Sequence, residues 1–379
     1  MAAALEPASL RLLVVNFAMD RASPVLAWQQ AVARALARRA ARVVVLTEQL
    51  GAYEPAPNLE VHAVPRAFCR APLRLAGAKW WLVPAVASWC RRARVDACFL
   101  HMNHEWACRL WPVLRAAGVP MLLWYAHGTV RWRLRVSHGL VDAVVTSSPE
   151  GFRIPSRKVT VIGQAIDTEV FRLQPPPGPP PEIVVVGRVA PRKDLGRVLD
   201  AFAALAALRP EVPFRLRVVG PTRRADAAYA RACREQARAL GVADRVIWAG
   251  ALRTEETAAL YARAFLQLSL SRTGSMDKTI LEALACGRPV LTSNEAVRRL
   301  LRAHPRLLLT DEPPAAIARR LADLYARPVA APEDLRALVV GHHDLAGYAD
   351  RVLATLARLV DARGALTRWE AAGAPGGGA

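Results

Sequence analysis

Lysine is nearly missing from this chain of 379 residues. Lys79, Lys158, Lys193 and Lys278 are the four, and all the other cations among 52 Lys and Arg residues are arginines. The arginines are scattered, so the net charge of +20 reads as a compositional bias. A nucleic-acid-binding face would instead gather its cations in one stripe, so no nucleic acid partner is expected. Cysteine is sparse and unpatterned. Cys69, Cys90, Cys98, Cys108, Cys233 and Cys286 contain no CxxC pair and no His/Cys zinc spacing. That excludes a zinc module and predicts buried, reduced thiols in a cytoplasmic protein. Long apolar runs are absent too. No stretch reaches the ~20 residues of a membrane-spanning helix. Arg11–Asn16 is a strand pattern without the basic lead-in of a signal peptide.

What is present is a regular alternation of strand and helix. The length suffices for two domains, each with its own core. Near-continuous apolar runs predict strands at Leu10–Phe17, Arg42–Thr47, Leu59–Val64, Ala97–His101, Met121–Tyr125, Ala143–Ser147 and Val159–Gln164. Helical patterns lie between them, notably Pro24–Arg39, Ala76–Arg92 and Glu105–Ala117. The proline-rich run Gln174–Pro181 follows as a stiff connector. Strands then restart at Ile183–Val186, Phe214–Val219, Arg245–Ala249, Phe265–Ser269 and Val290–Thr292. The expected class is α/β, with two doubly wound parallel sheets that bind ligands at the carboxyl ends of their strands, in a cleft between the domains. The expected boundaries are an N-terminal domain over 1–173, a linker over 174–181 and a second domain over 182–345. A C-terminal helix over 346–370 would pack back on the N-terminal domain, ahead of a disordered tail, 371–379.

Two of the four lysines fall in the two most informative runs. In Glu182–Leu195 a buried strand stops at Gly187, and a short loop carries Arg188, Arg192 and Lys193. Asp194 is the expected N-cap of a helix over Leu195–Leu208. A strand, a glycine, cations and a helix start make an anion site, and a guanidinium fork with a point charge suits a phosphate or diphosphate. Arg192 either joins them or points to solvent. In Ser275–Pro289 a helix carrying Glu282 ends at Gly287. A carboxylate beside a diphosphate repels it, so Glu282 is read as a partner for neutral hydroxyls. The turn Thr273–Ser275 can aim backbone N–H groups at a ligand. The combination reads as a nucleotide-sugar pocket.

His127 follows a predicted strand and precedes Gly128, which places it at a strand's carboxyl end. His101 and His104 occupy a similar strand end without convincing metal spacing. Asp167 is a loop carboxylate. Residues 66–94 gather Lys79, Trp80, Trp81, Trp89, Arg91, Arg92 and Arg94. Two readings fit that segment: a membrane-surface helix, or a helix packed on a sheet with solvated arginines.

Three stretches, Val161–Phe171, Val186–Lys193 and Leu281–Val290, resemble in order and separation those of family 4 glycosyltransferases of the GT-B fold (glycosyl transferases group 1). The resemblance covers most of residues 120–300. It implies two Rossmann-like domains facing a central cleft, and transfer of a sugar from a nucleotide-diphosphate sugar, UDP- or GDP-linked, with retention at the anomeric carbon. Arg188 and Lys193 would hold the diphosphate, Glu282 the ribose hydroxyls, and His127 would contact the transferred sugar. The implied catalytic set is His127, Arg188 and Lys193. The implied donor-binding set is Gly187, Arg188, Lys193, Gly274, Ser275, Met276, Asp277, Lys278 and Glu282. No metal and no cofactor beyond the donor are expected, because two cations can stabilise the leaving charge. The acceptor would be a carbohydrate or lipid-linked hydroxyl in envelope or exopolysaccharide assembly, with peripheral association at the inner face of the membrane.

Two departures stand out. The family's first glutamate falls at Gly274, so Asp277 or backbone amides are expected to serve the sugar instead. The glycine pair usual in the first strand–helix loop is absent from Asn16–Pro24, which points to an unusual acceptor. Two rival readings are a non-catalytic basic nucleotide- or nucleic-acid-binding protein and a sugar-nucleotide epimerase. The epimerase would need more cleft carboxylates than the sequence offers.

Overall fold

The structure is a computed structural model and describes residues 6–64, 88, 94–271 and 274–372. Two compact units emerge. Unit one comprises Met1–Ser147, Phe152–Ala165 and Leu345–Ala379, and unit two comprises Ser148–Gly151 and Ile166–Asp344.

The described strands of unit one are β1 (Arg11–Met19), β2 (Arg42–Leu50), β3 (Leu59–Ala63), β4 (Ala97–His101), β5 (Met121–Trp124), β6 (Ala143–Thr146) and β7 (Val159–Val161). They pair in parallel in the order β3-β2-β1-β4-β5-β6-β7. The apolar runs reflect burial on both faces, because successive side chains alternate between them. Leu12 and Val14 of β1 face one core cluster, and Leu13 and Val15 face another. The first cluster takes Val32 and Leu36 from α1 (Ala27–Ala37), and Tyr348, Val352, Leu353 and Leu356 from the C-terminal helix Leu345–Ala372. The second takes Trp106, Leu110 and Leu114 from α2 (Glu105–Ala116), and Leu134 from α3 (Trp132–Leu140). Fully burying one such side chain contributes about 1.5–3 kcal/mol, so these two layers hold the sheet.

Unit two has β8 (Glu182–Val186), α4 (Leu195–Leu208), β9 (Arg215–Val219), α5 (Ala227–Ala239), β10 (Val246–Gly250), α6 (Thr254–Tyr261), β11 (Ala264–Ser269), α7 (Lys278–Ala285), β12 (Val290–Thr292), α8 (Pro314–Ala326) and α9 (Pro332–Val340). The strands are parallel in the order β10-β9-β8-β11-β12. The order reverses between β8 and β11, and at such a switch point the two following loops diverge and leave a crevice.

Several expectations need correction. The contact boundary lies between Ala165 and Ile166, ahead of the proline run. Phe171 is the reason, since its ring is buried in unit two's core. Strand β1 runs to Met19, so the first four of the nine residues Asn16–Pro24 are strand. Gln29 of α1 explains this, as its Oε1 accepts from Phe17 N–H and Ala18 N–H, each at 3.0 Å. The C-terminal helix continues through Ala372, into the expected tail, whose remaining residues lie outside the described ones. The expected helix Ala76–Arg92 and the cationic Trp cluster from Lys79 to Arg92 also lie outside the described residues.

Candidate donor site at the switch point of unit two

Strand β8 ends at Gly187, whose φ of +146° disfavours any side chain. A Cβ there would lie 3.0 Å from Lys193 Cε, so the missing side chain makes room for the lysine stem. The short helical turn Pro191–Lys193 brings Lys193 back over the strand end. Its ammonium donates to Asp277 Oδ2 at 2.7 Å, across 84 positions of sequence. Asp277 precedes α7, which follows β11. The pair therefore spans the two loops of the switch point.

Asp194 takes the N-cap position of α4, but its side chain accepts no cap hydrogen bond and its φ is +51°. Leu195 N–H donates instead to the Tyr229 hydroxyl of α5 at 2.9 Å. The expected capping role thus belongs to Tyr229. A local αL turn swings the Asp194 carboxylate towards Arg197, at 3.8 Å.

A hydrogen-bonded chain fixes the start of α7. Thr279 Oγ1 donates to the Val186 carbonyl at 3.3 Å and accepts from Gln267 Nε2 at 3.2 Å. The buried Tyr261 hydroxyl donates to Gln267 Oε1 at 2.6 Å. The first turn of α7 is thereby tied to β8 and β11, next to Gly187. Within α7, Lys278 and Glu282 are one turn apart and half-buried. Burial lowers the Lys278 ammonium to about 8, against the pull of the Glu282 and Asp167 carboxylates. Burial raises the Glu282 carboxyl, and Lys278 partly offsets this. Asp167, read from sequence as a plain loop carboxylate, also accepts from Glu169 N–H and Val170 N–H at 3.2 and 3.3 Å. Gly274 has φ +63°, and the Ser275 carbonyl accepts from Asn294 Nδ2 at 3.0 Å. Met276 is buried in the core, which leaves only its backbone for a ligand. Arg188 is half-buried and Arg192 exposed. Burial lowers the Arg188 guanidinium first, followed by repulsion from Arg223 and Arg192, against attraction by Asp226 and Asp277.

Unit two thus brings Gly187, Arg188, Lys193, Asp277, Lys278 and Glu282 to one strand-end region. Sequence reasoning missed Arg223, Asp226 and the pairing of Asp277 with Lys193. Arg223 had a signal: Val218-Val219-Gly220 repeats the strand-then-glycine pattern of Val185-Val186-Gly187. The Asp277 contact had none, since two loops 84 residues apart create it.

His127 belongs to unit one. It is exposed on the loop after β5, with its ring 5.6 Å from that of Tyr125. Tyr125 also meets the His104 ring at 5.5 Å, and its hydroxyl donates to the Thr129 carbonyl at 2.9 Å. The His104 imidazolium is disfavoured first by burial; among nearby charges Glu105 opposes that shift, and His127 and Arg133 add to it. His101 is buried among the rings of Trp28, Phe99 and Trp124, on the core side of the sheet. Among the described residues no group of three or more His, Cys, Asp or Glu side chains could hold a metal ion.

Residues 180–327 match the family described as Glycosyl transferases group 1. D-inositol 3-phosphate glycosyltransferase of Thermobispora bispora is 29% identical over 209 residues, which are 51% of this chain and 49% of that protein. The chain spans less than half the length of the curated relatives it matches first. Among solved structures, sucrose-phosphate synthase of Thermosynechococcus elongatus superposes with a TM-score of 0.74 at 17% identity, covering 93% of this chain and 100% of that one. Anabaena HepE, solved in complex with UDP and glucose, superposes with a TM-score of 0.71 at 16% identity, covering 92% and 99%. These likenesses establish the fold, GT-B, with its two parallel-sheet α/β domains.

Proposed function

We propose, from the premise that residues 180–327 belong to the glycosyl transferases group 1 family, that this chain is a retaining glycosyltransferase using a nucleotide-diphosphate sugar, UDP- or GDP-linked. The observation that carries the proposal is the cationic strand end of β8 facing the start of α7, with Lys193 held at 2.7 Å from Asp277. Transfer breaks the bond between the anomeric carbon and the diphosphate oxygen and forms one to an acceptor hydroxyl, whose proton is released. Negative charge grows on the departing diphosphate. Arg188 and Lys193 are fixed before the reaction, so they can stabilise that charge without reorganising. An ammonium has three donors, and Asp277 takes one of Lys193's, leaving two for phosphate oxygens. Glu282 would accept from ribose hydroxyls, and His127 would meet the transferred sugar.

The acceptor reading is a carbohydrate or lipid-linked hydroxyl in envelope or glycolipid assembly. One relative, from Streptococcus pneumoniae, is named alpha-monoglucosyldiacylglycerol synthase. Helix α3 supports contact with a membrane surface: Trp132 and Val136 are 64% and 45% exposed, beside the exposed Arg131, Arg133 and Arg135. No described helix is long and apolar enough to cross a membrane.

A panel of UDP-, GDP- and ADP-sugars tests the donor reading. A bound ligand raises the unfolding midpoint by mass action. One nucleotide sugar should do so, and the same one should release its nucleoside diphosphate when a hydroxyl acceptor is supplied. A panel without any stabilising donor would overturn the proposal.

A further inference from the structure

The loops after β8 and β9 are stitched together by their backbones. Gly187 N–H donates to the Val219 carbonyl at 2.9 Å, and Val189 N–H donates to the Pro221 carbonyl at 3.1 Å. Between those bonds the loops approach so closely that a Cβ on Gly220, whose φ is +142°, would lie 2.0 Å from the Gly187 carbonyl oxygen. The stitch places Arg188, in the middle of the first loop, beside the segment that runs from Gly220 to Arg223. There Asp226 N–H donates to the Arg223 carbonyl at 2.9 Å, closing a turn that leaves the Arg223 side chain exposed. Like charges held this close disfavour one another and favour an anion between them. Arg223 is the charge that opposes the Arg188 guanidinium most, ahead of Arg192. Arg188, Arg192, Lys193 and Arg223 stand against Asp226 and Asp277, a surplus of two positive charges. A diphosphate esterified at both ends carries two negative charges, which matches that surplus.

Resting on the donor reading, we infer that Arg223 is a third cation of the donor site, gripping the diphosphate from the β9 side while Arg188 and Lys193 grip it from the β8 side. The anion site is then built by two loops rather than one. Arg223 reads phosphate and is indifferent to the base.

The test is calorimetric binding of inorganic pyrophosphate, of the nucleoside diphosphate that wild type prefers, and of its unphosphorylated nucleoside. Arg223→Ala should weaken both diphosphates by about 10-fold, typical of losing one charge-assisted contact, and leave the nucleoside unchanged. Arg223→Lys should fall in between, since it keeps the charge and loses the fork. Arg224→Ala, at the exposed neighbour, should match wild type. Arg223 lies on the surface, so an unchanged unfolding midpoint would confirm that the fold is intact. Diphosphate affinity within twofold of wild type in Arg223→Ala would overturn the inference while leaving the donor reading intact. Equal weakening of the nucleoside would also overturn it, by assigning Arg223 to the base. A wild-type protein that binds no diphosphate would sink the donor reading and this inference with it.

Discussion

The contact between Lys193 and Asp277 can be weighed by a double-mutant cycle. Lys193→Met removes the ammonium and keeps most of the stem, and Asp277→Asn removes the charge and keeps the shape. The two atoms are 2.7 Å apart, and the side chains are 17% and 16% exposed. Both lie well below the exposure at which solvent and salt erase a surface pair. A hydrogen bond to a charged group in such a setting contributes about 1.5–3 kcal/mol. Each single variant should therefore lose roughly that much, partly because the surviving charge is left without its partner. The double variant should lose clearly less than the sum of the two, giving a coupling of about 1 kcal/mol or more. For a unit of this size 1 kcal/mol moves the midpoint by about 2–4 °C, so thermal unfolding of the four proteins resolves it. Repeating the cycle on nucleoside diphosphate affinity asks whether the pair also acts through the ligand. Additive losses, with coupling below about 0.5 kcal/mol, would refute the idea that Asp277 holds Lys193. That outcome would return Asp277 to a direct contact with the sugar.

Arg188→Ala should lower turnover by about 10²-fold or more with the fold intact, since it removes a prepositioned charge from the departing diphosphate; near-wild-type rates would contradict its assignment. Glu282→Ala should weaken free nucleoside diphosphate binding by about 1.5–3 kcal/mol and Glu282→Gln by less, as calorimetry would show. Gly220→Ala should leave little folded protein by circular dichroism, because its Cβ would sit 2.0 Å from the Gly187 carbonyl oxygen at φ +142°. Lys278 titrates at about 8 when folded and near 10.5 otherwise. Between those values the unfolded chain keeps a proton that the folded chain has lost, so this group makes stability rise with pH across that window. Below pH 8 its penalty is constant. Lys278→Met should flatten the rise in a pH series of unfolding midpoints, and an unchanged slope would show that the ammonium is not buried as described.

The alternation of strands and helices was legible because parallel sheets covered on both faces demand continuous apolar runs, and runs such as Val43–Val45 have few other uses. The ends were less legible. Tertiary bonds such as Gln29 to the end of β1 lengthen a strand beyond what its own residues specify. The proline run marks a stiff segment, yet Phe171 had already committed the chain to the second core. For the candidate site, the placement of Arg188 and Lys193 after a strand and a glycine, and of Glu282 inside a helix, was legible from local order alone. Asp277 was named for a different task, the sugar, and its contact with Lys193 depends on how β8 and β11 come to lie side by side. Arg223 depends on the pairing of β8 with β9 and on the loop contact that Gly220 permits. The strand-then-glycine pattern ahead of Arg223 is local, but the pairings that bring these residues to the site are not.

The bridge between Ile166 and Asp344 has a consequence for the chain as an object to be cut. Ile166 N–H donates to the His343 carbonyl at 2.8 Å, and the two residues pair as parallel neighbours. Strand partners sit about 4.8 Å apart, so the long segment of the second unit, Ile166–Asp344, begins and ends side by side. Topologically it is an insertion with adjacent ends. Such a segment can be excised, closed into a circular permutant with a short turn, or exchanged for the equivalent segment of another GT-B protein without rethreading the host. Donor preference could then be recombined as a cassette of Ile166–Asp344, while Ser148–Gly151 and the C-terminal helix come from the host.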